Sequence, residues 1–177
     1  MKNSVKVPSQ ILYKDGTIRW GFDIPLGEKP LQWFKAFFLQ EEDMRQPFMD
    51  EKFRDWLSFR EAREQLKGLE KTAADVVADY LKLLWQCVID DMGKIIGEAA
   101  VAAFPFRVVI TCPAIWPLYA QSRIRQAVEA AGILDHRVGG ETFLELLTEP
   151  EAAVLSIVED FHGEPVEVGE KHMPIRI

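Results

Sequence analysis

An α/β fold is the class this sequence predicts, and three observations predict it. Residues 106 to 161 alternate a β-branched run, a helical pattern, a second β run and a second helical pattern. Residues 73 to 97 carry one apolar stripe at helical spacing. Residues 5 to 24 hold two β-rich runs around an Asp-Gly turn signal. At 177 residues the chain can bury one good core, or two small lobes, without disulfides.

In chain order, ILY and IRWGF flank Lys14-Asp15-Gly16-Thr17, and Asp-Gly is the dipeptide that best tolerates the positive φ of a tight hairpin turn. Residues 30 to 105 form a helical part. Its first two patterns are PLQWFKAFFLQ and DEKFRDWLSFREAREQLKG, the latter with Glu61, Arg63, Glu64 and Lys67 on a solvated face and Gly68 as a stop. Thr72 and Asp75 stand at capping-box spacing before the long helix, although the strict form has Glu or Gln in the second place. Val77, Leu81, Leu84, Val88, Met92 and Ile95 then make a core stripe, and Gly97 and Pro105 close the block. RVVIT reads as a strand covered on both faces, ended by Pro113 and Pro117. The helix from Leu118 to Ala131 turns Ile124, Ala127, Val128 and Ala131 inward, with Gly132 as its cap. TFLELLT is the next strand, and Pro150 opens a helix running to about Phe161. Residues 162 to 177 form a divergent tail.

Composition narrows the function classes. A net charge of -7 with no Lys/Arg cluster argues against nucleic-acid binding, which depends on phosphate neutralisation. No apolar run is long enough to span a membrane, and MKNSVKVPSQ has no signal-peptide core, so a cytoplasmic protein is expected. Cys87 and Cys112 each lie in an apolar run and read as buried free thiols, suited to a reducing compartment. His136, His162 and His172 have no partner at metal-ligand spacing, and Ser122 and Ser156 lie within helices, not on a nucleophile elbow. Trp20, Trp33, Trp56, Trp85 and Trp116 read as core anchors.

VVITCPAIWPLYAQSRIRQAVEAAGI, followed by LLTEPEAAV, resembles the nucleotide-binding domain of the seventy-kilodalton heat-shock chaperones, of the actin-like (ribonuclease-H-like) ATPase superfamily. The points of likeness are Thr111-Cys112-Pro113-Ala114, Ala130-Ala131-Gly132-Ile133 and Thr148-Glu149-Pro150-Glu151-Ala152-Ala153, in the family's order. VPSQILY is similar to the family's early Pro-Ser strand, and KTAADVVADYLKLLW looks closest to divergent, heat-shock-like ATPases of filamentous fungi. The resemblance spans about residues 7 to 160. It implies a partial actin-like lobe: a single truncated piece of that domain, with an N-terminal hairpin, a helical insertion and a β-α-β-α unit.

The same resemblance implies where nucleotide chemistry would lie. Lys35 stands roughly where the family's phosphate-contacting lysine falls; it also reads as an ordinary solvated lysine. Glu149 matches a glutamate near the nucleotide, and Pro113 a proline that couples that site to the rest of the domain. Glu149 also reads as an acid stabilised by its helix dipole. The family's two glycine-rich phosphate turns have no counterpart in these residues, so no cofactor is expected, with ATP and Mg only where a partner supplies the missing half-site. The expected function is chaperone-related binding or self-association, as a homo-oligomer (a dimer) or with a protein partner, through an exposed apolar face. The alternatives are an enzyme repurposed for a small apolar molecule in the groove of that face, and a fragment without a function of its own.

Overall fold

The computed structural model describes residues 6–44, 57–162 and 174–176. They form a mixed α/β structure in two compact units, Met1–Leu84 and Trp85–Ile177, and each is described by itself.

The first unit opens with β1 (Gln10–Lys14) and β2 (Thr17–Trp20), an antiparallel hairpin in which Lys14 faces Thr17. Asp15 and Gly16 both have positive φ, the backbone that the Asp-Gly dipeptide predicts. The second β-rich run ends early, because Gly21–Asp23 turn into a 3-10 helix. The PLQWFKAFFLQ run is a larger departure. Leu31–Gln32 form β3, which completes a three-stranded sheet in the order β2-β1-β3. Trp33 then takes a left-handed φ of 61° and Phe34–Phe38 form a 3-10 helix. Leu31, Phe34 and Phe38 are all buried, so apolar spacings of three and four are met here by a strand and a tight turn instead of an α-helix.

Among the described residues the sheet is followed by α1 (Glu41–Met44) and α2 (Leu57–Gly68), and the stretch 50–56 of the second expected helix lies outside them. The long helix is α3 (Ala73–Ile96), close to the expected bounds. Its cap is reciprocal. The Thr72 backbone N–H donates to the Asp75 carboxylate at 2.8 Å, and the Asp75 N–H donates to the Thr72 hydroxyl at 3.1 Å. Within the first unit, Val76, Val77, Tyr80 and Leu81 of α3 are buried with Ile11 and Phe34. The Tyr80 ring centre lies 5.6 Å from that of Trp20 and 5.5 Å from that of Phe34. Tyr13 donates a 2.7 Å hydrogen bond to Asp79, which also accepts one from Lys71 at 2.9 Å.

The second unit takes up α3 at Trp85. Here the apolar stripe opens to solvent: Val88 and Met92 are half-buried and Ile95 is exposed. Cys87 is exposed as well, contrary to the expectation from its apolar run, because it lies on the side of the helix away from buried Trp85; Cys112 is buried as expected. A further short helix, α4 (Glu98–Ala103), precedes β4 (Arg107–Cys112). Then come α5 (Leu118–Ala130), β5 (Phe143–Thr148) and α6 (Glu149–His162). Ile124, Ala127, Val128 and Ala131 are all buried, and Gly132 has φ +75°, as their spacing and position require.

β4 pairs in parallel with β5 and also with β6 (Pro174–Arg176), a strand within the stretch read as a divergent tail. The sheet order is β5-β4-β6. Val108 and Cys112 of β4 are buried while Val109, Ile110 and Thr111 are half-buried, and no residue of β5 is buried, so the strand is less fully covered than the expectation of two covered faces. Trp85 and Trp116 are core residues, Trp20 is half-buried, Trp33 is exposed, and Trp56 lies outside the described residues.

Candidate functional site

Parallel pairing of β4 with β5 runs in register from Arg107 opposite Phe143 to Cys112 opposite Thr148. The chain therefore leaves both strands at one edge of the sheet, with Pro113 following one strand and Glu149 the other. In open α/β sheets this carboxyl edge is where ligands bind. Two of the residues singled out in the sequence are thus brought together as neighbouring strand ends. Lys35 belongs to the first unit, exposed on its 3-10 helix between buried Phe34 and Phe38.

Each strand end is tied down locally. After β4, the Trp116 N–H donates to the Pro113 carbonyl at 3.1 Å, and the Ala120 N–H to the Pro117 carbonyl at 2.9 Å. This turn buries Trp116 and leaves Ile115 and Leu118 exposed. After β5, Thr148 and Glu151 form a capping box. Glu151 accepts from the Thr148 backbone N–H and from its hydroxyl, both at 2.8 Å, and the Glu151 N–H faces the same hydroxyl at 3.4 Å. These bonds, the backbone one foremost, hold the Glu151 carboxyl below the usual carboxylate range. The Thr-x-x-Glu spacing that builds the box is a sequence signal in its own right. It escaped the reading of the sequence because Pro150 alone accounted for the helix start.

The box changes what this edge can hold. A helix N-terminus attracts anions through its free N–H groups and positive dipole end. In α6 that end already carries its own Glu151 and a second acid, the exposed Glu149. A phosphate placed there meets two carboxylates of the same sign, which costs affinity. Among the described residues no group of three or more His, Cys, Asp or Glu side chains is placed to hold a metal ion.

The face α6 turns outward is the other chemical feature of this edge. Ala152 and Ser156 are half-buried, whereas Ala153 is exposed and Val154, Leu155, Ile157 and Val158 are 58%, 55%, 53% and 46% exposed. At helical pitch these four side chains occupy an arc of about 160°. A helix of a globular protein normally buries such a stripe. Here the side of Ala152 and Ser156 is partly covered and the large apolar side is open. Phe143 of β5 is also more than half exposed.

Comparison of the chain with family profiles, with curated protein sequences and with solved structures found no match.

Proposed function

We propose that this protein is a divergent, heat-shock-like relative of the actin-type ATPases that works by holding another protein segment on α6, not by hydrolysing ATP alone. The observation that carries this reading is the exposed apolar arc of Val154, Leu155, Ile157 and Val158. The order of parallel β4, α5, β5 and α6 within the resembling segment supports the kinship. The capping of α6 by its own acid supports the absence of an autonomous phosphate site. ATP and Mg enter only where a partner supplies the phosphate-binding half.

Charge decides what kind of segment fits. Glu149 and Glu151 stand in the first turn of α6, and its sequence, EPEAAVLSIVEDFH, holds no Lys or Arg. An apolar stripe that starts at two acids complements an amphipathic segment with a basic flank. A second copy of α6 would bring acid against acid, so self-association through this face strengthens with salt, whereas binding of a basic-flanked partner weakens.

Two measurements test this reading. Light scattering at low and high salt gives the oligomeric state. Calorimetry with a synthetic amphipathic peptide, apolar on one face and lysine-flanked, gives partner binding. The expected result is saturable peptide binding that is lost in Leu155→Ser/Val158→Ser, with melting unchanged because both side chains are solvent-exposed. A salt-strengthened dimer abolished by the same variant would assign the face to self-association instead. A monomer that binds the peptide no better than the variant does would overturn the binding role. Saturable Mg-ATP binding weakened by Lys35→Ala would restore the ATPase reading.

A further inference from the structure

The second unit contains a cleft of about 710 Å³ between the end of α3, α4 and the 136–138 loop. α4 leads into the start of β4, and the loop leads into the start of β5, so this cleft lies at the amino ends of the strands, away from Pro113 and Glu149. Its size falls within the range of small-molecule sites.

Arg137 is the unusual residue in its lining. One terminal nitrogen donates to the Val101 carbonyl at 2.7 Å, and the guanidinium lies 4.2 Å from the centre of the Phe106 ring. Its Nε is buried with no acceptor, and among the described residues no carboxylate pairs with it. Burial holds its pKa below the ordinary arginine value. A guanidinium has five N–H donors in a planar fork, and one taken partly out of water is ordinarily matched by a carboxylate. Among the described residues no carboxylate supplies that match.

The cleft is also built to stay open. A Cβ placed on Gly139 would stand 2.4 Å from the Ala103 carbonyl carbon and 2.6 Å from the carbonyl oxygens of Ala102 and Ala103. The loop thus lies backbone against backbone on the end of α4, which fixes Arg137 and Val138 beside Ile89 and Val101. Val138 is 96% exposed, an apolar side chain at the cleft open to solvent. Asp90 and Glu98 line the cleft too, balanced by Lys94 and Arg137. An occupant therefore gains from the fork of Arg137 and not from a general positive field.

We infer that this cleft binds a small organic carboxylate with an apolar body, the carboxylate on the Arg137 guanidinium and the body against Ile89, Val101 and Val138. The bidentate match between guanidinium and carboxylate supplies the selectivity, and an uncharged amide of the same shape lacks it. This inference stands on the cleft alone and is independent of the reading of α6.

The test uses phenylacetate and phenylacetamide as probes, titrated into the nitrogen-labelled chain and followed by NMR. The expected result is saturable shifts at residues 89–94, 101–102 and 136–138 with phenylacetate, and affinity for the amide weaker by about tenfold or more. Arg137→Met should abolish the preference. Because that change also disturbs the contact with Phe106, Val138→Asp serves as the second variant: it places a like charge in the cleft at a solvent-exposed position and should weaken phenylacetate about tenfold without altering melting. Equal affinity for acid and amide, binding untouched by Val138→Asp, or no saturable shift up to about 10 mM in the folded protein would each overturn the inference.

Discussion

Gly139→Ala is the sharpest test of how the second unit is assembled. The added methyl would meet the Ala103 carbonyl carbon at 2.4 Å and two carbonyl oxygens at 2.6 Å. Carbon atoms settle at about 3.5 Å or more, so loop and helix end must part by about 1 Å. Both contacting groups are backbone, and no side-chain rotamer can relieve the clash. A shift of that size pulls Arg137 off the Val101 carbonyl, now 2.7 Å away, and off the Phe106 ring at 4.2 Å. Overpacking of this kind costs about 1 to 3 kcal/mol. Urea unfolding followed by the fluorescence of Trp85 and Trp116, both buried in this unit, would measure it. Hydrogen exchange over residues 98–103 and 136–140 would locate it. Gly68→Ala is the control, since a Cβ there meets nothing within 4 Å and the backbone is not left-handed; it should be neutral or stabilise by up to about 1 kcal/mol. If Gly139→Ala unfolds within about 0.5 kcal/mol of the parent, the size of an ordinary surface change, and exchange is unaltered, the pinned loop is refuted, and with it the preformed cleft.

Further predictions concern the two units separately. Tyr13→Phe removes the donor to Asp79 and should cost about 1 kcal/mol at neutral pH. Burial first, then the hydrogen bond and charge of Asp79, raise the Tyr13 pKa well above the phenol norm. Above the unfolded value of about 10 the unfolded chain gives up this proton and the folded chain keeps it, so stability present below that pH is lost as pH rises. The variant should flatten this alkaline loss, and an unchanged slope would show that Tyr13 does not cause it. In the second unit, Thr148→Ala should destabilise α6 by about 1 kcal/mol, seen as faster exchange in its first turn. The depressed pKa of Glu151 contributes stability above the ordinary carboxylate value that is lost as pH falls through the folded one; Thr148→Ala should remove that acid dependence, and its persistence would assign it to another carboxyl.

Much of the local structure was legible because it rests on neighbours in sequence. Asp15-Gly16 set the hairpin turn, Thr72 and Asp75 the cap of α3, and Ile124, Ala127, Val128 and Ala131 the inner face of α5. Pro113 and Glu149 were legible as strand ends for the same reason. Their adjacency was not, since it depends on parallel pairing across some thirty intervening residues, which no local pattern encodes. The run from Pro30 to Leu39 misled because strand pairing of Leu31 with Ile11 satisfies the same apolar spacing as a helix would.

By itself the sequence determined the α/β class, most element bounds, the cap of α3 and the inward face of α5, all consequences of backbone preference and apolar period acting over a few residues. Only the tertiary structure decided that Cys87 faces solvent, that α6 is partly covered at Ala152 and Ser156 and leaves its large apolar residues open, and that Gly139 seats the loop presenting Arg137 to a cleft. The physical reason is common to all three. A helix pattern says which residues share a face, but which face finds a partner depends on what the rest of the chain brings against it.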